Sequence, residues 1–475
     1  MAKFFGAGYV VDAFQVGLSV SQVLGAGTGI AAATAIVPHY LRISTSVGPH
    51  HAQRFATQIS LIVGVCSLLA SAFVAALPGL FVSAGAPNLP PATHDLAADL
   101  LRTLAFMIAG LNLVYLITAL YHAHHHFRIP TLGDMLSQSA VVLSLCLFAT
   151  SAGIHSLCWG MLAGSGLAIL LQLVPLARSQ FFQFGPPLLG AEIREFLASL
   201  LPILLCDYAL HAQLVLQNFL SSGLNTGSIA SLAYASSLRN AVVAIVATNV
   251  ARGIFPALSQ LVASGRQDEL RNVVTKVIKY LVMLFVPISF FCCFNSVAII
   301  RAMFMRGKFD ESAVQSTALA FSIFSWGLLL NGLVPIFLRI CYASGTYRAA
   351  LASMVFGLIC FFGVSHALIP RLGMVGIASA STISLIPIVI GTGFSVHRVV
   401  GGLRIGSLLT KLIISCLLAA VASSTCLWFR PVGLFSLLGA GSLFVALYLC
   451  LSLVFSKDDV VAVWRVISRK AIKNP

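Results

Sequence analysis

Leu281-Val282-Met283-Leu284-Phe285-Val286-Pro287-Ile288-Ser289-Phe290-Phe291-Cys292-Cys293-Phe294 carries no charge, and it sits in a run from 277 to 300 whose single charged residue is Lys279. A stretch of about 20 predominantly apolar residues is what a helix needs to cross the hydrocarbon core of a bilayer. Reading outward by the same rule places further spans near 13–40, 56–84, 98–121, 132–152, 156–177, 196–221, 229–262, 313–343, 346–368, 373–396, 407–428 and 432–456. That makes about thirteen spans. The runs at 13–40 and 229–262 exceed one membrane thickness, so a tilt or a break is expected in each. The fold class is therefore an all-α polytopic membrane protein.

Composition agrees. Of 475 residues, 59% are hydrophobic and 9% charged. A soluble domain carries roughly 25% charged residues, so a chain this poor in charge cannot clothe a water-facing surface. The formal net charge is +15. The basic residues fall in short loops between apolar runs and form no basic stripe, which excludes nucleic acid as the partner and fits the positive-inside rule. The 11 cysteines lie mostly inside apolar runs and form no CxxC pair, so they read as small buried hydrophobes. The start shows no signal-peptide pattern.

Loop charge sets the orientation. One alternating set of loops holds Arg42 and Arg54, Arg128, Arg178 and Arg194, Arg266, Arg271 and Lys276, Arg348, and Arg398 and Arg404; the tail adds Lys457, Arg465, Arg469, Lys470 and Lys473. This set is assigned to the cytoplasm. The loop with Arg301, Arg306 and Lys308 dissents, as do the single residues Arg371 and Arg430. An odd helix count with the tail inside puts residue 1 outside. An internal repeat accounts for that. Ile36-Val37-Pro38, then Ala56-Thr57-Gln58-Ile59, has the layout of Ile254-Phe255-Pro256, then Val274-Thr275-Lys276-Val277. The repeat pairs 13–40 with 229–262 and leaves 196–221 without a first-half mate, so the expectation is two pseudo-symmetric lobes of which the first lacks its opening helix. Paired repeats with a site between them are a common transporter plan. The organisation expected is a first transmembrane lobe over 1–180, a second over 181–400, and a C-terminal helix pair with a cytoplasmic tail over 401–475.

No loop exceeds roughly 20 residues, far below the size of a domain. There is no GxxxxGK[ST], no HExxH, no GxSxG and no paired acidic metal motif. The chain reads as a non-enzyme without cofactor or metal, driven by an ion gradient, the membrane potential or its substrate's own gradient.

Ionisable residues inside the membrane are costly and mark function by default. Asp12 opens the first run, where it either complements a helix dipole or faces a cavity. Asp207 and His211 stand one turn apart and share a helix face, with Gln213, Gln217 and Asn218 on the same helix. They form either a helix–helix hydrogen-bond seam or a polar cavity wall. Arg239, Arg252 and Arg339 suit phosphate, because the planar guanidinium binds two oxygens at once; the alternative for each is snorkelling to the membrane surface. Lys411 reads as a snorkeller. His122, His124, His125 and His126 crowd one turn, and without a Cys or carboxylate beside them they read as a polar loop rather than a metal site.

Four stretches carry a family resemblance. They are Phe5-Gly6-Ala7-Gly8 through Asp12-Ala13-Phe14; Ile254-Phe255-Pro256-Ala257-Leu258-Ser259 with Ser264-Gly265; Phe304-Met305-Arg306-Gly307-Lys308-Phe309-Asp310; and Arg339-Ile340-Cys341-Tyr342-Ala343 with Thr346-Tyr347-Arg348-Ala349. In this order and spacing the chain resembles the MurJ (MviN) family of lipid II flippases, within the multidrug/oligosaccharidyl-lipid/polysaccharide exporter superfamily. The resemblance implies fourteen helices: twelve in two lobes around a cationic cavity, and a last pair, here 407–428 and 432–456, forming a groove for a polyprenyl tail. It implies outward movement of lipid II by alternating access in the bacterial inner membrane. The partners it implies are an undecaprenyl-diphosphate-linked saccharide, membrane lipid and cell-wall synthesis proteins. Export of another lipid-linked oligosaccharide, or ion-coupled antiport of a small molecule through Asp12 and Asp207, are the alternatives.

The chain also departs from the family pattern. Where the family has an Arg pair after its DAF motif, Val23-Leu24-Gly25-Ala26-Gly27 is uncharged. Where the family reads Tyr-Ala-Asp-Arg, this chain reads Tyr234-Ala235-Ser236-Ser237, with Arg239 two positions further on. That displacement is about 200° around a helix.

Overall fold

The computed structural model describes residues 1–178, 181–183, 185, 190–248, 266–429 and 433–455. Among these residues the regular structure is entirely helical. Twelve helices are long and apolar enough to cross a membrane, and thirteen when the bent pair Glu311–Trp326 and Leu328–Ala343 is counted as one span. Every run expected from the sequence has its helix. The chain is a multi-pass membrane protein.

Boundaries differ in an instructive way. The span expected from 56 begins at Pro49, and the one expected from 277 begins at Gln267. In both cases the helix starts with polar turns that a hydropathy reading excludes. Proline at the first helical position and Asp268 and Glu269 in the first turn suit a helix N-terminus. The span expected over 98–121 is two helices, Pro91–Leu104 and Phe106–Ala123. The first is amphipathic. Its apolar residues Ala97, Leu100, Leu101 and Leu104 are fully buried, while Asp95 and Asp99 stay exposed.

The long run at the start is one helix, Tyr9–Ser46, interrupted by a wide π turn at Val23–Gly27. Its expected repeat mate, starting at Ser228, carries a π turn at Ala244–Thr248. A π turn inserts a residue and locally bends a helix. The two helices that the sequence paired by layout alone therefore carry the same kind of interruption. The segment 249–265, including the motif at Ile254–Ser259 and Arg252, lies outside the described residues.

The helices group into two compact units that divide at Ala230 and Ser231. In the first, Tyr9–Ser46 is central. Gly17 lies against Ala97, Leu101 and Leu104, and Gly25 lies against Ile108 and Leu111. Small residues allow such close approach where lipid supplies no hydrophobic drive between helices. In the second, Gln267–Phe294 is central, and Phe285, Phe321, Phe324 and Leu328 are fully buried. The C-terminal pair Ile405–Phe429 and Leu434–Phe455 packs there too, with the Tyr448 hydroxyl donating to the Met283 carbonyl at 3.2 Å.

Outward-facing side chains are large and apolar in both units: Leu69, Leu143, Phe356 and Leu417 are all exposed. In water such a surface would aggregate; in a bilayer it faces its own solvent. Ser and Thr hydroxyls inside the spans mostly donate to the carbonyl one turn back, as Ser19 does to Val16, Ser289 to Phe285 and Thr392 to Ile388. This satisfies them where no water can.

Candidate functional site

Asp12 is 4% exposed in the first turn of Tyr9–Ser46. Its carboxylate does not serve its own helix. One oxygen accepts from the Gly227 amide at 2.6 Å and the other from the Ala230 amide at 2.7 Å. The helix beginning at Ser228 thus has a glycine at its cap position, and the acceptor that a Ser or Asp side chain there would give comes from Asp12. Glycine is required at 227 for two reasons. Its φ is +90°, and a Cβ would stand 2.4 Å from the Ala7 carbonyl oxygen. Asp12, Thr93, Ser221, Ser222, Asn225 and Thr226 contribute to a small polar pocket beside this cap. Asp12 thus stands both at a helix dipole, that of a helix other than its own, and in the lining of a small pocket.

Asp207 and His211 lie on Ala191–Ser221, one turn apart as expected. The His211 Nδ1 pairs with the Asp207 backbone carbonyl at 2.9 Å, not with its carboxylate. Asp207 is 7% exposed, and its Oδ2 has no hydrogen-bond partner among the described residues. The neighbouring Tyr208 hydroxyl meets Thr28 Oγ1 at 2.7 Å, and its ring lies over Gly27, where a Cβ would come within 3.0 Å. Asn218 reaches the Gln15 carbonyl at 3.5 Å. Asn112 donates to the carbonyls of Ile108 and Leu24, at 2.8 and 3.4 Å. This helix therefore forms a polar seam with Tyr9–Ser46, centred on the π turn. Among the described residues Asp207 Oδ2 and Asn112 Oδ1 are both buried and left without a hydrogen-bond partner, and of the two only Asp207 is ionisable.

In the second unit, Arg239 is half-buried. Its guanidinium carbon sits 4.7 Å from the centroid of the Phe324 ring, and its Nε donates to the Asn240 Oδ1 at 3.2 Å. No carboxylate pairs with it among the described residues. A guanidinium held by a ring face and by Nε keeps its terminal N–H groups available for an oxyanion. Arg339 is half-buried near the end of Leu328–Ala343. Lys411, expected to snorkel, is 6% exposed on Ile405–Phe429.

At the turn after Phe106–Ala123, the His124 Nε2 pairs with the Tyr40 hydroxyl at 2.9 Å. Partial burial, then the neighbouring His126 and His125, hold the His124 imidazole below its ordinary value. Among the described residues no group of three metal-ligating side chains comes together. Sequence reading missed Gly227, the Tyr208–Thr28 bond and Phe324. The available signal for the first was a glycine just before the new apolar run. The other two depend on partners far along the chain.

A bundle of twelve or thirteen membrane-crossing helices, with polar groups buried between them and no nucleotide-binding loop, defines a multi-pass membrane transporter. The family model for lipid II flippase MurJ matches residues 1–447. The chain belongs to that family. It is 22% identical over 409 residues to a probable lipid II flippase MurJ of Helicobacter pylori, covering 81% of this chain and 87% of that protein. The fold is similar to a solved lipid II flippase MurJ in an inward closed conformation, with a TM-score of 0.79, 20% identity, and coverage of 96% of this chain and 95% of that one. It is similar, at a TM-score of 0.66 and 12% identity, to an inward-facing multidrug resistance MATE family transporter of the MOP superfamily, over 86% of this chain and 96% of that one.

Proposed function

We infer that this chain is a flippase that carries lipid II, a polyprenyl-diphosphate-linked saccharide, across the bacterial inner membrane by alternating access. The match of the family along residues 1–447 carries this reading. Arg239 gives it a chemical centre: a diphosphate needs fixed cations where the dielectric is low, and among the described residues this guanidinium is held in place without a carboxylate to neutralise it. Arg252 and Arg339 are proposed as further cations. Asp12, Asp207 and His211 are proposed as polar groups along the substrate path, Asp12 acting through the helix it caps. No bond is made or broken in this cycle, so the chain is a transporter and not an enzyme. Enzymes that make and use the saccharide are its proposed partners.

The test is transport by Arg239→Ala at matched expression, read as lipid II left in the inner leaflet. A hydrogen bond to a charged group is worth about 1.5–3 kcal/mol, so transport should fall roughly tenfold to a hundredfold. Unchanged transport removes Arg239 from the site. The unsatisfied Asp207 oxygen supports a second reading, ion-coupled export of a small molecule. Transport of lipid II that ignores every ion gradient, in a chain whose Asp207→Asn variant is fully active, argues against it.

A further inference from the structure

The Phe324 ring is fully buried, in the last turn of Glu311–Trp326 and three residues before the 52° bend to Leu328–Ala343. Its carbonyl accepts from the Gly327 amide at 3.0 Å, closing the turn at which the chain bends. The backbone is held by the turn and the ring by its complete burial, and the ring face carries the Arg239 guanidinium at 4.7 Å. An arginine side chain is long and rotamer-rich, and left to itself it would lose much of that freedom on binding an anion. Stacking on a ring removes one degree of freedom and the Asn240 bond to Nε removes another. The remaining edge of the guanidinium has a defined direction.

We propose that Phe324 is a positioning residue for the anion site: it touches no phosphate, but by holding the Arg239 guanidinium flat against its ring it presents the terminal nitrogens as a preset fork for a diphosphate. This rests on Arg239 being the phosphate-binding cation of the proposed function. The attraction is electrostatic, between a cation and the negative ring face, so it depends on the ring's electron density and not on its size. A residue that merely filled space would be indifferent to that density.

The experiment replaces Phe324 in the full chain with mono-, di- and trifluorinated phenylalanine, which withdraw ring density with little change of shape. The readout is the Kd of geranylgeranyl diphosphate, from thermal stabilisation of the detergent-solubilised protein. The expected result is a stepwise loss of affinity with each fluorine, reaching about threefold to tenfold, at an unchanged melting temperature without ligand. In an Arg239→Gln background, binding should be weaker and insensitive to fluorination. Fluorination without effect, while Arg239→Gln still weakens binding, overturns the role of Phe324 and leaves the functional reading intact. Binding that is absent in the unmodified chain, or unchanged by Arg239→Gln, overturns the phosphate site itself and the positioning role with it.

Discussion

Replacing Asp12 by alanine should unfasten the start of the helix at Ser228. Two buried backbone amides, those of Gly227 and Ala230, would lose their acceptor, and the glycine at the cap position has no side chain to substitute. Hydrogen bonds to a charged group contribute about 1.5–3 kcal/mol each. The negative charge at the positive helix end adds about 0.3–1 kcal/mol. The loss is then about 3–7 kcal/mol for Asp12→Ala. Asp12→Asn keeps one carbonyl acceptor and turns an amide donor toward the other N–H, so about half that loss is expected. Net stabilities of about 5–15 kcal/mol are ordinary, so the alanine variant should unfold at markedly lower temperature and the asparagine variant in between. Thermal unfolding in detergent measures the order, and hydrogen exchange at the Gly227 and Ala230 amides locates it. An Asp12→Ala protein that melts with the parent and keeps both amides protected would refute the cap. If that same protein had lost transport, Asp12 would belong to the substrate path directly.

Gly227→Ala should destabilise the protein strongly, because φ is +90° and the new Cβ would meet the Ala7 carbonyl at 2.4 Å; a melting temperature within the error of the parent would contradict this. Asp207→Asn should leave folding intact or improve it, since a neutral amide costs less to bury than a carboxylate with an unsatisfied oxygen, while transport falls if the charge is used; lost expression with no transport phenotype in the surviving protein would show the group to be structural. Reporter fusions after Asn88 and Gln267, both exposed, should report outside and inside respectively, as the loop charges require; the same side for both would break the helix count.

Much of the architecture was legible because lipid imposes a simple rule on helix length and polarity. The two long runs picked out for a tilt or a break each proved to hold a π turn, and the equally long run 313–343 proved to bend by 52° between two helices, so excess length was itself a signal. Where the reading slipped, at Pro49, Pro91 and Gln267, the helix had extended into polar residues that hydropathy cannot distinguish from loop. The site was legible only in part. Asp207 and His211 were paired by helical spacing, since a shared face follows from period alone. The partners of Asp12 lie 215 and 218 residues away, and the ring under Arg239 lies on another helix. Those pairings are decided by packing, which no local pattern records.

The cap at Gly227 also bears on how the molecule is made. Synthesis proceeds from the N-terminus, and early segments settle before later ones emerge. Asp12 is in the bilayer long before Gly227 leaves the ribosome. The later helix cannot cap itself, so it arrives incomplete and is finished by a carboxylate already waiting. Closing so long a loop costs little more than closing a short one, because the entropy grows only with the logarithm of its length. A fragment beginning in the 179–190 segment, translated alone, would insert this helix with two bare amides at its end. Co-expression of the preceding fragment should rescue it, and an Asp12→Ala copy of that fragment should not.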